Sequence, residues 1–456
     1  MPSLITLDFE TAYSAAYSLK KLPTLLYIAD PRFYVYGVGV KIDNQPTEWV
    51  SDMDIAIKEL QGMQGHTLLA HNTKFDGTIL QFHHDVTFKR YADTMAMASG
   101  LSPHGSSSLA TLCEMLWPDD PTMRKGEELE QVKGVEGPLS PEQDKIIGDY
   151  CINDVDLTYE AYQKMAWYPE SELDVIDLTC RMYIKPRLIL DEALVAEHRA
   201  AVLQTRDDAV VAAGIEQPIL SSNQQYAEYM QGTLGIKPPM KISKTTGQPT
   251  FAFGKNDLAY IKLRASKPEH NKIWLARDLV KSTQEITRSK RLLEAAAADD
   301  GWLRVPLKYY AAHTGRYGGG EKLNLQNLGR TSKLRLALTA PTGNLVYVRD
   351  LSQIEARVLA AVAGQEDLIQ QFRDGEDVYS IFASDVYNRP VDRKRIIIDE
   401  DGNEITPDKT EGHVGKVCIL GLGYSMSATT LRTTLAVGAL GGDPVYVTEI
   451  EATGIV

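Results

Sequence analysis

Cysteine is scarce: Cys113, Cys151, Cys180 and Cys418 are the only four in 456 residues, and they form no metal-ligand spacing. Scattered thiols of this kind exclude a disulfide framework and point to a reducing compartment. Long apolar runs are missing, and no stretch approaches the length of a transmembrane helix. No basic region opens the chain, and Asp8 and Glu10 interrupt the first apolar run, so no signal peptide is expected. Positive charge is in deficit, with 48 Lys and Arg against 61 Asp and Glu and a formal net charge of −13. That balance argues mildly against a nucleic-acid binder, although local basic stripes set a contact surface more than the whole-chain sum does. What is present, 43% hydrophobic and 24% charged residues, fits a soluble globular protein. The length suffices for about three domains at ~150 residues each.

Residues 3 to 10, Ser-Leu-Ile-Thr-Leu-Asp-Phe-Glu, read as a buried strand. Asp8 and Glu10 sit at i and i+2, so both carboxylates leave one face of it. Further strands are expected over Phe33–Val40, Thr47–Val50, Thr67–Ala70 and Phe88–Asp93. Helices are expected over Asp52–Gln61 and from His71 through Asp76 onward. This order predicts an α/β layout with an open mixed sheet. Tyr150 and Asp154 fall at i and i+4 of a helix, on one face. Three or four carboxylates converging from a strand and two helices can hold two divalent ions ~3.5–4 Å apart, the arrangement that phosphodiester hydrolysis uses. Asp8, Glu10, Asp76 and Asp154 are the candidates, with Tyr150 placed to orient a water. A solvated surface carboxylate is the alternative for each one alone. The stretch Pro118–Pro141, rich in Gly, Pro, Glu and Lys, reads as a surface excursion.

In the middle of the chain, helices are expected over Glu172–Tyr183 and Glu192–Ala213, with a short strand at Leu188–Asp191 between them. Residues 221–225 are suited to capping a helix that runs to Met230. One helix from Ile273 to about Ala298 is expected. Arg277, Lys281, Gln284, Arg288 and Arg291 then step by four, three, four and three along one face. Such a stripe, backed by Leu275, Leu279, Ile286 and Leu293, suits a phosphate backbone, or is simply a solvated face.

The last third centres on residues 345–357, Leu-Val-Tyr-Val-Arg-Asp-Leu-Ser-Gln-Ile-Glu-Ala-Arg. A short β-rich run, Leu345–Val348, leads to Asp350, and an apolar helix-like segment follows with Ile354, Val358 and Ala361. A carboxylate fixed at a strand end can hold a hard cation. Gly318–Gly320 reads as a flexible loop, and two short strands are expected at 395–398 and 404–405 around a turn at 399–402. His413–Ser425 predicts a helix with Lys416, Leu420 and Tyr424 on one face.

These segments, in this order, resemble family A DNA polymerases over nearly the whole chain. Asp350-Leu351-Ser352-Gln353-Ile354-Glu355-Ala356-Arg357 resembles their motif A, with Leu351 where Tyr is usual. The resemblance implies that Asp350 binds both catalytic metals, that Glu355 screens the sugar 2′-position and that Gln353 belongs to the nucleotide site. His413–Ser425 resembles motif B. That implies nucleotide contacts for Lys416, Leu420 and Tyr424, with Gly412 where an Arg is usual and Arg393, Lys394 or Arg395 as substitutes. The Thr314-Gly315-Arg316 and Asn324-Leu325-Gln326-Asn327 segments resemble two further motifs, which implies primer-template contacts for Arg316, Gln326 and Asn327. The basic helix falls where the family has its duplex-gripping thumb, which implies DNA contacts for Lys281 and Arg288. Asp8-Phe9-Glu10, Asn72 to Asp76 and Tyr150 to Asp154 resemble the three motifs of the DnaQ-like 3′–5′ exonuclease domain. The implied catalytic set is Asp8, Glu10, Asp76, Tyr150 and Asp154, its four carboxylates holding two Mg²⁺ or Mn²⁺ ions.

The resemblance implies an α/β multi-domain chain. An RNase H-like exonuclease domain over 1–165 is followed by a mostly helical part with the thumb over 166–300, an incomplete palm over 301–385 and truncated fingers over 386–456. The family's third polymerase motif, a His-Asp-Glu, is not found among these residues. The expectation is therefore an amino-terminal portion whose polymerase chemistry needs a second carboxylate from elsewhere, for example a second polypeptide. Its partners would be primer-template DNA, single-stranded 3′ ends and dNTP, with no membrane, in the cytoplasm (of a host cell if phage-encoded). The alternatives are a stand-alone exonuclease with a degenerate DNA-binding platform, and a non-catalytic DNA-binding scaffold.

Overall fold

The computed structural model describes residues 3–126, 128–243, 245–400, 402–439 and 442–456. The chain forms two compact units, residues 1–204 with 283–346, and residues 205–282 with 347–456.

In the first unit, β1 (Leu4–Thr11), β2 (Val35–Ile42), β3 (Glu48–Val50), β4 (Thr67–Ala70) and β5 (Arg90–Asp93) make one sheet in the order β3-β2-β1-β4-β5. The sheet is mixed: β1 runs antiparallel to β2 and parallel to β4, and β4 runs parallel to β5. The helices are α1 (Thr24–Ile28), α2 (Met53–Gln61), α3 (Thr73–His84), α4 (Thr94–Leu101), α5 (Leu109–Leu116), α6 (Pro141–Lys164) and α7 (Glu170–Ile184). Ile5, Leu7 and Phe9 leave one face of β1 and join a core with Ile79 and Leu80 of α3 and Ile176 of α7. The opposite face carries Asp8 and Glu10. The register explains how a helix reaches this face: Asp8 pairs with Gly39 of β2, where a Cβ would run into Cys151 and Val155 of α6. α6 starts at a full capping box, in which Ser140 accepts from Gln143 N and Gln143 reaches back. The expected order of strands and helices is present, and α1 is an addition to it.

The stretch 118–140 is not a bare excursion. A 3₁₀ turn, Glu128–Val132, buries Val132 fully, the Tyr36 hydroxyl donates to Val135 O at 2.6 Å, and Gly134 N donates to Tyr13 O at 2.7 Å. The rest of this unit is a short ladder in which Leu188–Leu190 pairs with Leu338–Thr339 and with Trp302–Leu303. Leu190, Val195, Leu292, Leu303 and Leu334 form its core. Gly318–Gly319 pairs with Leu307–Lys308 as a two-residue strand, where the glycine run predicts a flexible loop.

In the second unit, residues 205–282 pack around Tyr226, Tyr260 and Trp274, and Ser222 caps the helix Asn223–Gly232 as expected. The helix expected over 273–298 is two helices, Asn271–Lys281 in this unit and Gln284–Ala297 in the first, broken at Ser282. Its four-and-three spacing therefore fixes no common face. Arg277 is 1% exposed, its guanidinium bonding the Leu220 carbonyl and Asn223 and lying 4.5 Å over the Tyr226 ring. It is a core residue, not part of a surface stripe.

Residues 347–456 are helical, with Ile354–Ala363, Val378–Tyr387 and Lys409–Leu422 among the longer elements, and the hairpin Ile397–Ile398/Glu404–Ile405. Asp401, inside the expected turn of that hairpin, lies outside the described residues. Leu345–Val348 is not a strand: all four residues are exposed and in no element. A single strand is not stable without a neighbour to pair with, and among the described residues nothing pairs with this run. No described helix is long and apolar enough to cross a membrane.

Candidate functional site

An open cleft of about 520 Å³ lies over the polar face of β1. Asp8 and Glu10 enter it from β1, Tyr150 and Asp154 from α6, and Lys125 from the loop before α6; Phe9, Phe75 and Tyr13 add rings. Glu10, Asp154 and Tyr150 are 5%, 3% and 6% exposed, so the carboxylates sit at the floor of an open cavity rather than on a solvated surface. Asp76, on α3 and 1% exposed, stands behind them and accepts from Phe9 N at 3.0 Å. Asn72 holds the turn before α3 at φ 84°, a conformation asparagine tolerates, with its N–H on Asp93 Oδ1 at 3.1 Å.

Burial dominates the electrostatics. It pushes the Asp8 carboxyl up to about 6, with Lys125 opposing the shift. Burial and then the neighbouring Asp8 hold both Glu10 and Asp76 well above the ordinary carboxylate value. Burial and then Glu10 and Asp8 raise the Tyr150 phenol, which stays protonated and able to donate. One buried oxygen, Asp154 Oδ1, has no hydrogen-bond partner. A carboxylate oxygen left so is costly unless a cation or donor meets it. Hard oxygen donors with an unfilled lone pair fit a divalent cation such as Mg²⁺.

Two residues here carried no sequence signal. Lys125 pairs with Asp154 Oδ2 and lies 4.7 Å from the Tyr150 ring centre; a lysine in a Gly- and Glu-rich loop looks like any solvated one. Cys151 lies within 4.8 Å of Asp8 and Glu10 oxygens, the single group of three metal-ligating types found among the described residues. Its thiol is fully buried, held protonated first by burial and then by Asp8, and donates to the Asp8 carbonyl at 3.3 Å. Cys151 thus ties α6 to the backbone of β1.

In the second unit, Glu355, Leu420 and Tyr424 line one cleft of about 390 Å³ with Ile354, Leu359 and Ile419. Tyr424 lies just past the helix end at Leu422 rather than on it. Lys416 is half-buried one turn before Leu420. Gln353 caps its helix at φ 55° and bonds the Tyr379 hydroxyl. Position 412 has no room for a side chain: a Cβ there would run into Arg393, whose Nε donates to Asp377 Oδ2 at 2.7 Å. Asp350 is exposed, in no helix or strand, and in no described group of three metal ligands.

Arg316 is exposed in a turn whose carbonyl accepts from Ala312 N at 3.2 Å. Gln326 and Asn327 are exposed on the 3₁₀ turn Leu325–Asn327, which Asn324 caps. Lys281 donates to Ser221 O at 3.1 Å, and Arg288 pairs with Glu285 at 3.5 Å.

Residues 191–441 match the profile of DNA polymerase family A, and residues 3–167 match a 3′-5′ exonuclease profile. The thermostable DNA polymerase I of Thermus aquaticus is 30% identical over 222 residues, covering 48% of this chain and 24% of that protein. DNA polymerase I of Mycobacterium leprae is 33% identical over 166 residues, covering 34% of this chain and 17% of that one. The DNA polymerase of Escherichia phage T5 is 25% identical over 420 residues, covering 77% and 46%. The chain thus spans less than half the length of each of these relatives. The POL domain of Pol1 from M. smegmatis, in complex with DNA primer-template and dNTP, aligns with the whole chain and 72% of its own, at a TM-score of 0.65 and 18% identity. At that identity the likeness is one of fold.

Proposed function

Because the chain belongs to DNA polymerase family A, we propose that it is a DNA polymerase with a 3′–5′ proofreading exonuclease, and that the exonuclease is the activity these residues carry by themselves. The observation that carries this reading is the open cleft floored by Asp8, Glu10 and Asp154 with an unpartnered carboxylate oxygen. Asp8, Glu10, Asp76 and Asp154 would hold two Mg²⁺ or Mn²⁺ ions. Bound there, such ions would supply the charge that activates the attacking water and stabilises the leaving oxygen in phosphodiester hydrolysis. The protonated Tyr150 hydroxyl orients the attacking water. Tyr13 offers a ring for an unstacked base at a single-stranded 3′ end, and Lys20, Lys21 and Lys133 at the same cleft suit its phosphates.

In the polymerase part, covering palm and fingers over 301–456, Asp350 is assigned to metal, and Glu355, Gln353, Lys416, Leu420 and Tyr424 to the incoming nucleotide. Arg316, Gln326, Asn327, Lys281 and Arg288 are assigned to primer-template DNA, the last two with the thumb region of 166–300. The exposed position of Asp350 and of residues 345–348 favours, for the isolated chain, the second reading, in which this half serves as a duplex-binding platform. Four buried free thiols are in keeping with a reducing cytoplasm. The test is degradation of a 3′-labelled single strand by the purified chain with Mg²⁺ or Mn²⁺. Asp8→Ala with Glu10→Ala is expected to abolish it, and full activity in that double variant would overturn the assignment.

A further inference from the structure

The cation already in the exonuclease cleft is part of the protein. Lys125 reaches in from the loop before α6 and pairs with Asp154 Oδ2, while Oδ1 of the same carboxylate is buried and bare. Its ammonium lies 4.7 Å from the Tyr150 ring centre, and the charges of Asp8 and Glu10 act on it. The backbone that carries it is fastened beside the same carboxylate: Asn153 Nδ2 donates to the Arg124 carbonyl at 3.1 Å. The Arg124 guanidinium in turn donates to the carbonyls of Trp117 and Met123 at 2.9 Å and of Pro118 at 3.0 Å. The loop is therefore held in place, while the lysine side chain, 29% exposed on a flexible four-carbon stem, has room to swing once its pairing with Asp154 is broken.

An ammonium and a divalent cation on one carboxylate compete, because like charges at such range repel by about 4 kcal/mol or more at an effective dielectric of about 20. Without an opposite charge, however, an ionised Asp154 buried beside Asp8 and Glu10 would destabilise the fold. We propose that Lys125 is the resident counter-ion of the exonuclease site. It neutralises Asp154 when no metal is bound, and an incoming divalent ion displaces it by withdrawal of its side chain into the open cleft. Lys125 is thus a positioning residue that sets metal affinity. Its withdrawn ammonium joins Lys20, Lys21 and Lys133 at the cleft, on the side open to an anionic substrate. The inference rests on the exonuclease reading above, in that the displacing ion binds Asp8, Glu10 and Asp154.

The experiment is calorimetric titration of the full chain with MnCl₂, without DNA. Binding that Asp8→Ala with Glu10→Ala removes establishes the metal site. Against that baseline, Lys125→Met is expected to bind Mn²⁺ about tenfold more tightly, each tenfold being about 1.4 kcal/mol of relieved competition. Lys125→Arg, which keeps the charge, is expected to stay within about twofold of the parent. Mn²⁺ affinity in Lys125→Met equal to or weaker than the parent's would overturn the inference and leave the metal site standing. Binding unaffected by the Asp8/Glu10 double variant would remove the site itself. A second measurement needs no substitution: modification of Lys125 by an amine-reactive reagent, followed by mass spectrometry, should rise on Mn²⁺ addition. An unchanged yield would overturn the displacement.

Discussion

Asp8 and Gly39 face each other across the β1–β2 ladder, and the space that a side chain would take at position 39 belongs to helix α6. A Cβ on Gly39 would stand 2.9 Å from Cys151 Sγ and 3.0 Å from Val155 Cγ2. The glycine is what lets α6 approach the strand closely enough for the Cys151 thiol to reach the Asp8 carbonyl. Tyr150 and Asp154, on the same helix, come with it.

Gly39→Ala is therefore expected to push α6 outward. Overpacking of this kind costs about 1–3 kcal/mol, to be read by urea denaturation. Loss of 3′–5′ hydrolysis should exceed what the fraction unfolded explains, because small misplacements of reacting groups cost about a hundredfold. Unimpaired hydrolysis would show that α6 does not need this approach.

The raised Asp8 carboxyl gives a pH signature in metal-free protein. Its folded value, about 6, lies above the ordinary 3.8, and burial is the main cause. A carboxyl raised in this sense stabilises the fold below the unfolded value, and that contribution is lost as pH rises through the folded one. In EDTA, Asp8→Asn should melt with the parent near pH 4 and above it beyond pH about 6. Parallel melting curves across that window would contradict the assigned shift.

Arg277 and the pair Lys281 and Arg288 should behave oppositely. Arg277→Met leaves the buried carbonyl of Leu220 without its donor and should cost about 2 kcal/mol or more of stability. The salt dependence of duplex binding should not change. Lys281→Glu with Arg288→Glu should leave the fold intact and lower the salt slope by about two, roughly one for each phosphate no longer neutralised. A change of slope in Arg277→Met would put that residue back on the DNA surface.

Primer extension by this chain, in an Asp8→Ala exonuclease-dead background, is expected to be absent. Asp350 is exposed, and no described carboxylate pair joins it in a metal-ligating group of three. Losing one ligand set costs about a thousandfold or more in rate. Supplying a second polypeptide with a palm hairpin that bears a carboxylate should restore synthesis, and Asp350→Ala should remove it again. Strong extension by the chain alone would mean that Asp350 has a partner within these residues.

Much of this protein was legible from local pattern. The strand of Leu4–Thr11, with apolar residues alternating with Asp8 and Glu10, follows from periodicity, and the helix carrying Tyr150 and Asp154 was expected from their i, i+4 spacing, although its capped start at Ser140 was not. Periodicity and spacing are short-range rules, which the residues involved obey in the folded chain. The order of strands and helices up to Asp93, and the hairpin around residues 397–405, were legible for the same reason.

Tertiary structure decided the rest. Spacing alone put Arg277 on a basic stripe, but packing around Tyr226 and a break at Ser282 made it a core residue and ended the helix. Leu345–Val348 has strand composition and no strand, because a ladder needs a partner that composition cannot supply. Lys125 is separated from Asp8 by more than a hundred residues of sequence, and only the docking of its loop on α6 brings its charge to the carboxylates. Local sequence determines which way a side chain leaves its own element; which other elements meet it there is set by long-range packing, and on that packing both the charge balance and the shape of this cleft depend.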